Sequence, residues 1–291
     1  MPAAEVEIDD DLVRALLAEQ HPDLADLSLS PLAFGWDNVV YRLGTGLTVR
    51  LPRREMAVPL IEHEQRWLPV LAPSLPLAVP APTHLGRAGC GYPWPWSICP
   101  WIPGEIAART PLGDPVAAAE VLGSFLRALH VPAPADFPPN PYRGVPLAAR
   151  SELFEAQLDR VDDSVDATLV RARWERALAV APWAGPPVWL HGDMHPANIL
   201  VLDGHLSGVV DFGDMTAGDP ATDLSVAWML LPPHARPALR KACGDIDDNT
   251  WARARGWALN LALAFLSSSA DNVLIHKIGE RTLAAVLADD S

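Results

Sequence analysis

The segment ILVLDGHLSGVVDF, Ile199 to Phe212, restricts the fold of this 291-residue chain more than any other. Two apolar runs flank Asp203-Gly204, a pair that a type I′ turn selects because both of its central residues need positive φ. The segment is therefore a β-hairpin. A two-residue loop sets its register, with Leu202 opposite His205 and, counting outward, Asn198 opposite Val209. Asp211 follows two positions later, so the hairpin is expected to bring Asn198 and Asp211 to one end, about 7 Å apart as diagonal neighbours. An amide oxygen and a carboxylate converging there suit a hard cation such as Mg2+, which keeps waters and takes its other ligands from phosphates. Asp193 lies on the loop entering the hairpin, where its carboxylate can reach a hydroxyl held beside such a phosphate.

The residues just upstream, HGDMH, admit a second reading in which His191, Asp193 and His195 ligate a transition metal such as Zn2+. Pro196 argues against it, because it breaks any helix that would put both histidines on one face. That cluster also leaves Asn198 and the DFG after the hairpin unexplained. Without it, His191 reads as structural, bonding backbone in the turn, and His195 as a loop or surface histidine. Asp219, followed by Pro220, reads as a helix cap. Asp223 is either a brace for the loop or a solvated charge.

The rest of the chain falls into two parts. Residues 1–102 hold a short helix (DLVRALLAEQ), a hairpin around Gly44 and Gly46, an amphipathic helix (PLIEHEQRWLPVLA) and short strands such as WSIC. The proline-rich PWIPGE reads as a linker, with Glu105 a charge after it. Residues 103–291 are mostly helical in pattern, from DPVAAAEVLGSFLRALH to TWARARGWALNLALAFLSSS. The fold class is thus α+β, a lobe with a small mixed β-sheet and a larger, mainly helical one. Most of the eleven tryptophans belong to cores; three of them, Trp228, Trp251 and Trp257, sit on the C-terminal helices.

Charge excludes some partners. A formal net charge of -14 argues against nucleic acid and against an anionic membrane surface. The N-terminus is acidic where a signal peptide would be basic, and no apolar run approaches the length of a membrane span. Three cysteines, Cys90, Cys99 and Cys243, have no metal-like spacing. The expectation is a cytoplasmic monomer or homodimer. Asp193, Asp214, Asp219 and Asp223 crowd around the same loop, which suits a cationic small molecule.

HGDMHPANIL followed by VVDFGD resembles the catalytic and metal-binding motifs of the aminoglycoside phosphotransferase family, which is related to choline kinase and more distantly to protein kinases. FGWDNVVYRLG resembles its nucleotide loop and first hairpin, LTVRLPR its phosphate-binding strand, IEHEQRWLPVLA the helix carrying the partner glutamate, and WSICPWIPGE the hinge. The resemblance implies a two-lobed protein-kinase-like fold that moves the γ-phosphate of ATP or GTP to a small-molecule hydroxyl. It implies Asp193 as catalytic carboxylate and Asn198 and Asp211 as Mg2+ ligands. It further implies Arg50 on the α- and β-phosphates, Glu64 (or Glu62) as its ion-pair partner, and the backbone of Cys99, Pro100, Trp101 and Ile102 on the purine edge. Asp214 is placed to face an acceptor amine. Where the family carries lysine this chain has arginine, since its only lysines are Lys241 and Lys277, and Arg53 competes with Arg50 for the role. One glycine, Gly35, stands where protein kinases have three. The implied acceptor is an aminoglycoside-type antibiotic. The alternatives are a macrolide or other antibiotic, an amino alcohol or sugar, or no catalysis at all on a nucleotide-binding fold.

Overall fold

The computed structural model describes residues 3–162, 165–269 and 271–289. The chain divides into two units. The first holds the residues up to Ser74, Ala78–Pro103 and Val210–Gly213; the second holds Leu75–Leu77, Gly104–Val209 and the residues from Asp214 onward. The division therefore falls one residue after the expected 102/103 boundary. The DFG segment, assigned by sequence to the second part, clusters with the first.

In the first unit, Asp9 caps α1 (Asp10–Gln20) by accepting from the Leu12 amide at 2.8 Å. β1 (Leu29–Phe34), β2 (Asn38–Leu43) and β3 (Leu47–Pro52) follow, then α2 (Val58–Leu71), β4 (His84–Gly86) and β5 (Trp96–Pro100). The sheet order is β1-β2-β3-β5-β4 and every pairing is antiparallel. The expectation of a mixed sheet is thereby corrected; sequential strands joined by short turns must reverse direction. The hairpin at Gly44 to Gly46 forms as expected, with Leu43 opposite Leu47. Burial alternates along β2, sending Val39, Tyr41 and Leu43 into one core with Val13, Leu16 and Leu17 of α1 and Trp96 and Ile98 of β5.

In the second unit β6 (Glu105–Ile106) comes first, and Glu105 keeps an exposed side chain as read. Its backbone pairs with Val201, a contact that a two-residue strand in a Pro/Gly-rich stretch does not announce. Helices α3 (Pro115–Leu129), α4 (Ser151–Leu158) and α5 (Ala167–Leu178) lead to β7 (Val188–Leu190), β8 (Ile199–Leu202), β9 (His205–Val209) and β10 (Thr216–Gly218). β8 lies between β6 and β9, and β7 pairs with β10. The β8–β9 turn has the positive φ it needs, 51° at Asp203 and 82° at Gly204, and Leu202 faces His205. The register then slips. Ser207 is an extra residue on β9, so Leu200 faces Gly208 and Ile199, not Asn198, faces Val209. Counting by regular alternation cannot foresee a bulge.

The chain ends in α6 (Ala221–Leu224), α7 (Val226–Leu230), α8 (Arg236–Cys243), α9 (Asp248–Ser268) and α10 (Val273–Leu287). ATDLSVAWML reads as one helix but breaks at Ser225, whose hydroxyl donates to the Thr222 carbonyl at 2.6 Å. α9 is the centre of the unit, with α4, α5, α6, α7 and α10 packed around it. Trp228, Trp251 and Trp257 are buried. α3 and α8 meet where Gly123 has no side chain; a Cβ there would lie 2.6 Å from the Ala242 Cβ. Among the described residues no helix is long and apolar enough to cross a membrane.

Asp219 accepts from the Ala221 amide at 3.0 Å, the cap expected at the start of α6. Its second partner was not legible. Arg253 of α9 is buried and holds Asp219 through Nε at 2.6 Å and Nη2 at 3.3 Å. Arg253→Met leaves that carboxylate buried and unpaired, and stability is expected to fall by about 3–5 kcal/mol. Urea denaturation checks this, and an unchanged midpoint would refute it.

Candidate active site

β7 delivers the HGDMH loop, and its pairing with β10, Leu190 opposite Thr216, runs that loop beside the segment carrying Asp214. The fit is tight at Gly192, where φ is 88° and a Cβ would stand 2.2 Å from the Asp214 carbonyl oxygen. Only glycine serves there, for conformation and for space.

Asp223 of α6, with none of its surface exposed, accepts from the amides of His191 at 2.8 Å and Gly192 at 2.9 Å. His130, at the C-terminal end of α3, puts Nε2 3.2 Å from the same carboxylate. Asp223 is therefore the brace, not a solvated charge. His191 is structural as read, its Nδ1 accepting from the Asp193 amide at 3.1 Å.

His195 corrects the expectation of a loop or surface histidine, because it is buried. Its Nδ1 accepts from the Ala197 amide at 3.2 Å, which assigns the proton to Nε2, 3.1 Å from Oδ2 of Asp193. On the other side Arg143 donates to Oδ1 of Asp193 at 3.1 Å. Arg143 sits on the loop between α3 and α4, outside every motif, and nothing in the sequence marked it. Burial works to raise the Asp193 carboxyl, but His195, Arg143 and His191 outweigh it and hold the group well below the usual carboxylate range. The side chain keeps 24% of its surface exposed, so this carboxylate stays charged and within reach of a solute. Asn198 donates its amide nitrogen to the Asp193 carbonyl at 2.9 Å, a bond that does not use its side-chain oxygen.

The crowd of aspartates is less anionic than the sequence suggests. Asp219 and Asp223 are buried and spent on Arg253 and on the loop. Asp214 keeps 38% of its side chain exposed, but Asn140 donates to it at 2.8 Å and Arg143 lies 3.7 Å away. Among the described residues no three His, Cys, Asp or Glu side chains form a group that could hold a metal ion.

In the first unit, Arg50 of β3 and Glu64 of α2 are both buried and paired, Nη1 lying 2.8 Å and 3.0 Å from the two carboxylate oxygens. Asp211 is 3.8 Å from Nη2, with its own side chain 62% exposed and a left-handed φ of 64°. Burial pulls the guanidinium down, but Glu64 and Asp211 outweigh it and keep it charged. Glu62 is exposed and Arg53 donates to the Gly35 carbonyl at 3.0 Å, so the pair that forms is Arg50 with Glu64. At the end of β5 the Trp101 amide is given to Gly46 at 2.8 Å. Alternation along an antiparallel ladder makes Thr48 and Cys99 a hydrogen-bonded pair as well. The Cys99 amide thus faces β3 and the Trp101 amide the residue before it, and the Pro100 carbonyl faces the other way, past the start of β4.

Residues 28–257 match the model of the phosphotransferase enzyme family. Over 142 residues the chain is 25% identical to an aminoglycoside 3'-phosphotransferase of Escherichia coli, covering 47% of this chain and 52% of that protein. Over 175 residues it is 30% identical to a homoserine kinase of Beijerinckia indica, covering 54% of each. The chain spans about half the length of the curated relatives it matches. Among solved structures, the GDP and kanamycin complex of APH(2")-IIia superposes with a TM-score of 0.71 at 19% identity, over 96% of this chain and 99% of that one. Macrolide 2'-phosphotransferase MphH from Brachybacterium faecium superposes with a TM-score of 0.63 at 24% identity, over 97% and 99%. These likenesses show a shared fold.

Asp223→Asn replaces an oxygen that accepts an amide with an NH2 group that cannot. A loss of about 1–3 kcal/mol is expected, with faster hydrogen exchange at His191 and Gly192. Unchanged protection of those two amides would show that the brace is dispensable.

Proposed function

Because the chain belongs to the phosphotransferase enzyme family, we propose that it transfers the γ-phosphoryl group of ATP or GTP to a hydroxyl of a small molecule. The observation that carries this reading is Asp193, a charged, partly exposed carboxylate held from both sides on a braced loop. Such a group accepts the hydrogen of a hydroxyl and orients its oxygen toward phosphorus, which suits a reaction in which positioning and charge neutralisation do most of the work.

The remaining roles are proposed residue by residue. Arg50, kept charged by Glu64, meets phosphate oxygens of the nucleotide; its planar fork allows two contacts where lysine makes point contacts. Of the four hinge positions, the Pro100 carbonyl and the Ile102 amide are the acceptor and donor for the purine edge, while Cys99 and Trp101 spend their amides on β3 and the residue before it. Asn198 and Asp211 are the proposed Mg2+ ligands. Each offers a hard oxygen, the free amide oxygen of Asn198 and the exposed Asp211 carboxylate, and the ion supplies neutralisation of phosphate charge. The proposed setting is the cytoplasm, where nucleoside triphosphates are available.

The acceptor we favour is an amine-bearing, aminoglycoside-type molecule, with Asp214 as the contact for its ammonium. The name of the Escherichia coli relative supports it. The homoserine kinase relative, at 30% identity, favours a second reading in which the hydroxyl belongs to an amino acid. A panel of kanamycin, a macrolide and homoserine, each incubated with ATP or GTP and Mg2+ and weighed for a phosphate-sized mass gain, separates these. No gain and no nucleotide consumption with any of them would favour nucleotide binding without catalysis.

Asp193→Asn is expected to reduce turnover by roughly 10²–10⁴-fold while nucleotide binding persists; near-normal turnover would sink the assignment. Arg50→Met is expected to weaken nucleotide binding by about 10- to 100-fold, the value of a charge-assisted contact, and Arg50→Lys by less. Calorimetric titration with Mg·ATP checks both, and a large loss from Arg53→Met alone would move the role to that residue.

A further inference from the structure

Arg143 belongs to none of the motifs, yet its loop is built with care. Asn140 accepts at Oδ1 from the amides of Tyr142 at 2.9 Å and Arg143 at 3.1 Å, closing a tight turn. The same side chain donates through Nδ2 to Oδ1 of Asp214 at 2.8 Å. At the far end the Gly144 amide donates to Thr222 Oγ1 at 3.2 Å, and the Gly144 carbonyl accepts from the Asp219 amide at 3.1 Å. The loop is thus fastened to the Asp214 segment and to α6. It carries one guanidinium inward, to 3.1 Å from Asp193 and 3.7 Å from Asp214.

The torsion that turns a carboxylate plane is broad and two-fold, so one hydrogen bond leaves it free to swing. His195 fixes Oδ2 of Asp193 from one side. Arg143 donates to Oδ1 from the other, and the same guanidinium lies 3.7 Å from a second carboxylate, Asp214. We propose that Arg143 is a positioning residue for phosphoryl transfer, locking the plane of the Asp193 carboxylate and acting through it. The role rests on the reading of Asp193 given above. Small misplacement of a reacting group costs about 10²-fold in rate, which sets the size of the effect.

The test is a double-mutant cycle on the full chain, with Arg143→Gln, Arg143→Lys, Asp193→Asn and Arg143→Gln/Asp193→Asn. Nucleoside diphosphate release from Mg·ATP and Mg·GTP is followed with water, kanamycin, a macrolide and homoserine as acceptors, beside the melting temperature and Mg·ATP affinity of each variant. The expected result for Arg143→Gln is a loss in kcat of about 10²-fold with KM for ATP nearly constant. Arg143→Lys, which keeps the charge, is expected to recover about a tenfold part of it. On the Asp193→Asn background Arg143→Gln is expected to cost little more, because its target is already gone. A full additional loss on that background, or wild-type kcat in Arg143→Gln, overturns the proposal. If Arg143→Gln melts early, the cycle is run with Arg143→Lys and the same criterion decides. A wild type that consumes neither ATP nor GTP with water, kanamycin, a macrolide or homoserine overturns the functional reading and this proposal with it. An active wild type indifferent to Arg143 overturns this proposal alone.

Discussion

A carboxylate sealed inside the second unit, Asp223, is what the HGDMH loop depends on. A buried charge must be met by donors or the fold does not keep it. Here the donors are the amides of His191 and Gly192 and the imidazole of His130. Those two amides must point inward, and the chain can do so beside Asp214 only because residue 192 has no side chain. Everything after follows from that anchor. His191 turns its ring to the Asp193 amide, Ala197 fixes the tautomer of His195, and Asn198 closes the loop onto the Asp193 carbonyl.

How much of this was legible depends on the range of the interaction. Local patterns were. The Asp203-Gly204 turn, the hairpin at Gly44, most helices and the cap at Asp219 rest on neighbours in sequence, and the structure has them. Asp193, Asn198 and Asp211 were singled out by spacing and resemblance, and the pairing of Arg50 with Glu64 formed as anticipated. Long-range partners were not. Arg143 reaches Asp193 across 50 positions and Arg253 reaches Asp219 across 34, and an isolated arginine in a loop or a helix carries no periodicity to reveal its target. The single extra residue at Ser207 escaped for another reason, because hydrophobic alternation survives a bulge by shifting phase.

The distribution of charge changes meaning once partners are known. Read as a row of aspartates, the region around the loop is strongly anionic. Read with its arginines and histidines, it is a set of nearly balanced pairs, and Asp214 is the one of the four that remains more than a third exposed. For the proposed cationic acceptor, attraction then has a small and specific source, and shape and hydrogen bonding would carry more of the selectivity.

The Arg50–Glu64 pair has a practical consequence for how such a chain is found. A guanidinium stays protonated at any ordinary pH and is a poor nucleophile, whereas a lysine beside phosphates loses its proton often enough to be acylated. Reagents that capture ATP-using proteins by transferring an acyl group to an amine would meet no amine on β3. The two lysines of the chain lie on α8 and α10 of the other unit. On the proposed nucleotide reading, a survey built on lysine capture would pass over this chain, and one built on affinity for an immobilised nucleotide would not.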